Sequence, residues 1–187
     1  MKFIKLFLNV FIFLLVKVTV KFQSHYSKAM AKEKFKKVSV KDMEKLKLEG
    51  DGTIHEPVNL TIGTDVFLGS NFFIRAAGGV TIGDYTHISR NVVIHTVNHN
   101  IKGALLPYDR ADILNSVVIG KYVWIGMNVS ILPGVTIGDG AVIGMGTVVS
   151  KDVNSGDVVV GSSHRVIGKR DEAETLDKVV KEQYLKL

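Results

Sequence analysis

The sequence predicts an all-β solenoid, a parallel β-helix built from hexapeptide repeats. In its second half, aliphatic residues recur at every sixth position, and a second small or β-branched residue stands two places before each. The recurring positions are Ile119, Ile125, Ile131, Ile137, Ile143 and Val149. A helix would place apolar residues three and four apart, and a half-buried strand would alternate at two. A period of six instead fits a coil of three short strands and three corners, with the aliphatic residues pointing inwards.

The same period occurs in the first half, with one shift of frame caused by two extra residues within 76–79. The positions before and after the shift are Ile62, Leu68, Ile74, Ile82, Ile88 and Ile94. These twelve repeats predict four coils, which become stable by stacking on one another. Gly, Asn and Asp between the repeats are expected to serve the corners, where the backbone adopts angles that other side chains resist.

The period stops after His99 and resumes at Val117, which predicts a protruding loop over about residues 99–116. Loops of this length are uncommon inside a compact repeat and usually have a function. The sequence therefore places the functional region of the solenoid at this loop.

Charge separates the chain into an N-terminal arm, residues 1–50, and a solenoid body, residues 51–169. The arm holds 12 lysines and 4 acidic residues, whereas the rest of the chain holds 12 basic and 14 acidic residues. The body is therefore nearly neutral, and nothing in it indicates a nucleic-acid-binding surface. The chain has no cysteine, which excludes disulfides and a thiol nucleophile.

The arm combines an apolar run, Leu6 to Val16, with lysines on both sides, and is expected to be helical. The run is shorter than the ~20 residues that a membrane-spanning helix needs. Three interpretations remain open: attachment of residues 1–47 to an anionic membrane surface, a secretory signal, or packing on the protein itself. We favour membrane attachment over a signal, since Ala29-Met30-Ala31 lies far behind the run. The lysines after the run then place the body on the cytoplasmic side, peripheral to the inner face of the membrane.

The C-terminal segment, residues 170–187, is predicted to be a helix. Asp171 and Glu174 have the spacing of a capping box. One helical face would carry Leu176, Val179, Val180, Tyr184 and Leu187. We expect this helix to cover the open end of the solenoid, where unpaired strand edges would promote aggregation.

Five stretches of the chain, over about residues 58–168, resemble the hexapeptide-repeat O-acetyltransferases. These are residues 94–100, Pro107-Tyr108, 118–126, 131–138 and 144–152. The family includes maltose, galactoside, nodulation-factor and streptogramin acetyltransferases and many capsule or exopolysaccharide acetyltransferases. The resemblance implies left-handed coils, a homotrimer with active sites between subunits, and acetyl-CoA lying along the coil wall.

His99 matches the catalytic histidine of that family, at the start of the loop. A sugar hydroxyl is a poor nucleophile at neutral pH, so the reaction needs a base that titrates near pH 7. Histidine is the side chain with a suitable ordinary pKa. The alternative is a solvated loop histidine without a role. His95 is a second candidate base, although a structural role suits it better because it directly follows the inward Ile94.

The resemblance also implies contacts with both substrates. The acceptor would contact Asn71, Trp124 and Tyr108. Acetyl-CoA would contact Trp124, Met145, Ser150, Lys151 and Arg165. Two alternatives stay open: Asn71 as a corner residue and Trp124 as a subunit-packing residue. Near Arg165 the sequence departs from the family's Gly-x-Pro-Ala-Lys/Arg pattern, since residues 161–167 contain no proline.

The function expected is acetyl-CoA-dependent O-acetyl transfer to a hydroxyl of a sugar or glycan, without a metal. The arm takes the place of the helical region that shapes the pocket of the maltose and galactoside enzymes, which suggests a capsule or exopolysaccharide precursor as acceptor. One alternative is a γ-carbonic-anhydrase-like metalloenzyme, although His87, His95 and His99 lack that family's spacing. The other is a non-enzymatic β-helix that binds partners.

Overall fold

The computed structural model describes residues 11–19, 33–100, 110–161 and 165–169, together with Phe22, Tyr26, Met30 and Tyr108. Residues 11–19 are helical, within the segment where a helical arm is expected. The predicted helix over residues 170–187 lies outside the described residues. In the described part of the chain, no helix is both long enough and apolar enough to span a bilayer.

Most strands in the described residues belong to three sheets of short, mainly parallel strands, numbered here in chain order. Sheet 1 contains β1 (Ser39–Val40), β4 (Leu60–Ile62), β7 (Val80–Ile82), β12 (Val117–Ile119) and β15 (Thr136–Ile137). Sheet 2 contains β2 (Lys47–Leu48), β5 (Phe67–Leu68), β8 (His87–Ile88), β13 (Trp124–Ile125), β16 (Val142–Ile143), β18 (Asp157–Val160) and, antiparallel at its edge, β19 (Arg165–Lys169). Sheet 3 contains β3 (Thr53–His55), β6 (Phe73–Arg75), β9 (Val93–His95), β14 (Ser130–Ile131) and β17 (Val148–Val149). Two short 3-10 helices, Phe35–Lys37 and Pro57–Asn59, precede β1 and β4.

The aliphatic residues of the repeats form the core, as the period of six predicts. Ile82, Ile119 and Ile137 stand in register in sheet 1, and each is almost fully buried. The same arrangement recurs in sheets 2 and 3, so every coil adds three inward side chains to one continuous column. The predicted all-β solenoid of parallel strands is therefore confirmed.

The solenoid is longer than the expected four coils. The described residues form five complete coils and the beginning of a sixth, where Val153 bridges to Ile137 and β18 joins sheet 2. The first coil was missed because Val40 and Leu48 are separated by a longer corner that breaks the period of six. Lysines also stand between the apolar residues of this segment, so its apolar pattern is harder to recognise.

The start of the solenoid accordingly lies before the expected boundary at residue 51. Strands β1 and β2 pair in register with β4 and β5, so residues 39–50 belong to the solenoid and not to a separate arm. Phe35 is also buried, with its ring centroid 6.4 Å from that of Phe72. It covers the first coil, where an apolar column would otherwise meet water.

The two ends of the expected loop pair with each other and form a two-stranded antiparallel ribbon. Strands β10 (Val97–His99) and β11 (Asp112–Leu114) pair so that His99 stands opposite Asp112. Thr96, which is buried, joins this ribbon to the coil beside it. Its hydroxyl donates to the Arg75 carbonyl at 2.6 Å and accepts from the Gly78 N–H at 2.9 Å. The ribbon therefore leaves the solenoid at a fixed point.

Candidate active site

His99 lies at the end of β10, where the ribbon leaves the solenoid. Its Nδ1 is 3.2 Å from Oδ1 of Asp112, and its ring stacks on Tyr108 with centroids 3.7 Å apart and planes 5° apart. The side chain is 46% exposed, so a substrate can reach it from solvent. A carboxylate beside Nδ1 favours the tautomer with the proton on Nδ1, which leaves Nε2 able to accept a proton.

Two residues beside His99 were not expected from the sequence. Asp112 accepts from Nη2 of Arg75 at 3.4 Å through its second oxygen, Oδ2, so the carboxylate connects the arginine to the imidazole. Arg75 is the last residue of β6 and stands in register with His95. The sequence offered one indication: a loop that starts and ends on neighbouring strands brings its two ends together, and Asp112 lies at the far end.

His95 has structural contacts, in agreement with the role that suits its position. Its Nδ1 is 2.9 Å from the Val97 carbonyl oxygen, and its ring is nearly parallel to that of Phe73, with centroids 6.1 Å apart. His55 adds a third ring to this row on the outer surface of sheet 3, 5.3 Å from Phe73.

Asn71 occupies a corner between sheets 2 and 3, with a φ of 57°. Asn91 and Asn128 occupy the same corner in the next two coils with a φ of 58° each. The Asn91 amide donates to the Asn128 side-chain oxygen at 2.9 Å. Asparagine tolerates the left-handed region better than most side chains, so the corner interpretation of Asn71 accounts for its backbone. Its side chain is exposed, and contact with an acceptor stays a prediction.

Trp124 points outwards from sheet 2 and is 51% exposed. It stands in register with His87, whose ring stacks on Phe67 with centroids 4.3 Å apart. Burial lowers the pKa of His87, and the nearby Glu49 carboxylate opposes this only in part. The imidazole therefore behaves as a neutral aromatic surface beside the indole.

The remaining residues expected to contact acetyl-CoA are all exposed but are distributed over two sheets. Met145 follows β16 at the corner beyond Trp124, and Arg165 begins β19 at the edge of sheet 2. Ser150 and Lys151 follow β17 in sheet 3. Within one chain, Trp124 lies on a different face of the coil from the His99 ribbon, which continues from sheet 3. The structure therefore brings His99 and Tyr108 into contact and places Trp124 on a different face.

The three histidines considered as metal ligands lie on different elements. His87 is in sheet 2, His95 is in sheet 3 and His99 is on the ribbon. Across the residues that the structure describes, no group of three or more His, Cys, Asp or Glu side chains has a metal-binding arrangement.

Comparison with known families agrees with this architecture. Residues 116–151 match the family described as bacterial transferase hexapeptide (six repeats). Residues 59–95 match the family described as hexapeptide repeat of succinyl-transferase. The two matches cover both halves of the solenoid and leave out the His99 ribbon between them.

Three known proteins illustrate the similarity. Nodulation protein L of Rhizobium meliloti is 46% identical over 114 residues, covering 59% of this chain and 60% of that protein. The structure of a maltose O-acetyltransferase from Clostridium difficile 630 is 34% identical, with a TM-score of 0.55, covering 73% of this chain and 71% of that one. A galactoside acetyltransferase in complex with coenzyme A is 29% identical, with a TM-score of 0.59, covering 70% and 66%.

The fold and these similarities define a hexapeptide-repeat protein. More specifically, the chain belongs to the hexapeptide-repeat acetyltransferase family, as the resemblance implied. The chain spans between 40% and 65% of the lengths of the curated relatives that it matches.

Proposed function

We propose that this protein is an acetyl-CoA-dependent O-acetyltransferase that modifies a hydroxyl of a sugar or glycan. The observation on which the proposal rests is the half-exposed His99 held between Asp112 and Tyr108, in a chain of the hexapeptide-repeat acetyltransferase family. Relatives named as galactoside and polysialic acid O-acetyltransferases support a sugar acceptor. A neighbour crystallised with coenzyme A supports the donor.

In this proposal His99 acts first as a general base and then as a general acid. Its Nε2 takes the hydroxyl proton while the hydroxyl oxygen attacks the thioester carbonyl carbon. The tetrahedral intermediate collapses, the carbon–sulfur bond breaks, and the imidazolium returns its proton to the coenzyme A thiolate. The products are an acetyl ester and free coenzyme A. Holding donor and acceptor in one cleft supplies much of the remaining rate acceleration.

The donor site proposed here uses Trp124 and Met145 as an apolar wall for the pantetheine chain. Ser150, Lys151 and Arg165 would contact the polar end of the coenzyme, where a guanidinium suits phosphate. Because Trp124 and His99 lie on different faces of one chain, the proposal includes a homotrimer in which a neighbouring subunit supplies the donor wall. Measuring the molecular mass of the protein in solution tests this assembly, since a trimer has three times the mass of one chain.

The acceptor site proposed here combines Tyr108, whose ring lies beside His99 on the ribbon, with Asn71, which would bind acceptor hydroxyls from the corner between sheets 2 and 3. Aromatic rings and amides are suitable partners for the apolar faces and hydroxyls of sugars. A capsule or exopolysaccharide precursor is the proposed acceptor class. The N-terminal arm supports it, since an enzyme at the inner face of a membrane would meet a lipid-linked glycan.

Replacing the base tests the mechanism directly. His99→Ala should lower kcat by about 10²- to 10⁴-fold, the usual contribution of general base catalysis, while acetyl-CoA binding is retained. Free thiol release is measured against a panel of simple sugars and lipid-linked oligosaccharides, and binding is measured by calorimetry. His55→Ala, which removes another exposed histidine from sheet 3, is the matched control and should keep full activity. Unchanged turnover in His99→Ala would remove the base assignment.

A further inference from the structure

We propose that Asp112 is the positioning residue for His99 and that Arg75 fixes the Asp112 carboxylate to the solenoid wall. This inference rests on the proposed function and concerns the same site. Neither residue touches the reacting atoms in this scheme. Each acts through the imidazole.

The ribbon itself brings the aspartate and the histidine together. Strands β10 and β11 pair antiparallel with the register Val97 to Leu114 and His99 to Asp112, which makes the last pair direct cross-strand neighbours. Side chains at directly opposite positions lie close enough to interact. The observed separation of 3.2 Å between Nδ1 and Oδ1 follows from this register. The contact is therefore a consequence of strand pairing and not an accidental approach of two loop side chains.

His99 needs such a partner because it is half exposed. A surface imidazole otherwise changes rotamer and tautomer freely, and only one arrangement presents Nε2 to a substrate. The carboxylate holds Nδ1, and the Tyr108 ring stacks on one face of the imidazole, with ring centroids 3.7 Å apart and the planes nearly parallel. The two contacts together fix both the direction of the ring and its plane.

Arg75 connects this series of side-chain contacts to the wall of the solenoid. Its Nη2 lies 3.4 Å from Asp112 Oδ2, so each carboxylate oxygen has its own partner. The Arg75 carbonyl accepts from both the N–H and the hydroxyl of Thr96, at 3.2 and 2.6 Å. A catalytic group held by a regular element is positioned more precisely than one held by a loop alone.

The alternating charges of Arg75, Asp112 and protonated His99 also suit the reaction. Arg75 is a permanent cation, Asp112 an anion, and His99 becomes a cation when it takes the hydroxyl proton. The carboxylate then faces the new imidazolium and stabilises it, while Arg75 holds the carboxylate in place.

Kinetics of matched variants provide the first test. Asp112→Asn keeps the size of the side chain but can present an N–H to Nδ1, which selects the wrong tautomer. We expect kcat to fall by about 10- to 100-fold, less than in buried triads because solvent screens an exposed pair. The KM for acetyl-CoA should change little, and Asp112→Glu should recover part of kcat. Arg75→Gln should lower kcat less than Asp112→Asn.

Asp65→Asn provides the control, because it breaks a comparable surface ion pair, with Lys47, away from the ribbon. It should leave kcat unchanged. A purely structural role for Asp112 would lower the melting temperature and leave kcat per folded molecule unchanged, which would overturn the inference.

The second test does not need an acceptor. Nitrogen-15 NMR of labelled histidine reports the tautomer of His99 directly, and the signal is assigned by its loss in His99→Ala. We expect the Nδ1–H form in the parent protein and a redistribution towards Nε2–H in Asp112→Asn. Identical tautomers in both proteins would overturn the positioning role even if acetyl transfer is confirmed. Absence of any acetyl transfer by the parent protein would instead contradict the proposed function and leave this measurement unaffected.

Discussion

Asp84, in the third coil, contacts residues of the first, second and fourth coils at one corner of the solenoid, between sheets 1 and 2. Its Oδ1 accepts the Thr64 N–H at 2.9 Å, and its Oδ2 lies 3.3 Å from the Lys41 ammonium and 3.7 Å from that of Lys121. Burial alone raises the pKa of the Asp84 carboxyl, but the Thr64 N–H and the two lysines outweigh it. The net pKa therefore lies below the ordinary aspartate value.

This lowered pKa predicts a loss of stability in acid. The unfolded chain binds the Asp84 proton more tightly than the folded protein, so the contribution is complete above the ordinary pKa and disappears as the pH falls through the lower folded value. Asp84→Asn should destabilise the protein by about 1 kcal/mol at pH 7, and the difference should shrink towards pH 3. Urea unfolding at several pH values measures it. Glu56→Gln, an exposed carboxyl, is the control, and a difference that widens in acid would contradict the assignment.

At the scale of the element, a glycine follows several of the inward aliphatic residues, such as Ile82 and Ile119, and allows adjacent coils to approach closely. A Cβ on Gly83 would lie 2.5 Å from the Gly120 carbonyl carbon, and one on Gly120 would lie 2.8 Å from the Asp139 nitrogen. Neither glycine has a positive φ. The expectation that these glycines serve unusual backbone angles is therefore wrong for this position. Positive φ occurs elsewhere in the corners, for example at Asn91.

A single methyl group at this contact should be costly. Gly83→Ala should lower the free energy of unfolding by about 1–3 kcal/mol, since the Cβ would meet backbone atoms that cannot move independently of the next coil. Gly168→Ala, where a Cβ would have nothing within 4 Å, should change stability by less than about 0.5 kcal/mol. Chemical unfolding of both variants compares them. Equal stabilities would show that the coils can separate enough to accept the methyl group.

At the scale of the whole molecule, the helical residues 11–19 present an apolar side chain to solvent at nearly every position. Phe11, Phe13 and Leu14 are about half exposed, and Lys17 places its ammonium 4.6 Å from the Phe13 ring centroid. The N-terminal 50 residues hold eight more lysines than acidic residues. Apolar surface next to excess positive charge is the combination that binds anionic lipid.

Vesicle flotation tests this proposed membrane surface. The purified full-length protein should float with vesicles containing phosphatidylglycerol, less so with phosphatidylcholine alone, and less again at high salt because screening weakens the lysine contribution. Changing Phe11, Phe13 and Leu14 together to serine should abolish flotation and leave solution activity intact. Failure of the parent protein to float with anionic vesicles would contradict membrane attachment.

Several contacts that organise the molecule could not be predicted from the sequence. The rings of Tyr85 and Tyr122 stack 5.1 Å apart at a corner where both residues adopt a positive φ. The pairing of Asp112 with His99 likewise joins the two ends of a loop. Each depends on which positions of two coils or strands stand opposite each other, and the spacing of apolar residues along the chain does not specify that register.

The sequence by itself determined the solenoid, because aliphatic residues at a spacing of six can all be buried only in a coil of three strands. It also determined the family and singled out His99 at the interruption of the repeat. Only the tertiary structure decided where the solenoid begins, since residues 39–50 gain strand structure by pairing with the next coil. It also decided which charged residues surround His99. Asp112 lies opposite His99 because two strands pair in that register, and Arg75 reaches Asp112 from the preceding coil, although both residues are far from His99 along the chain.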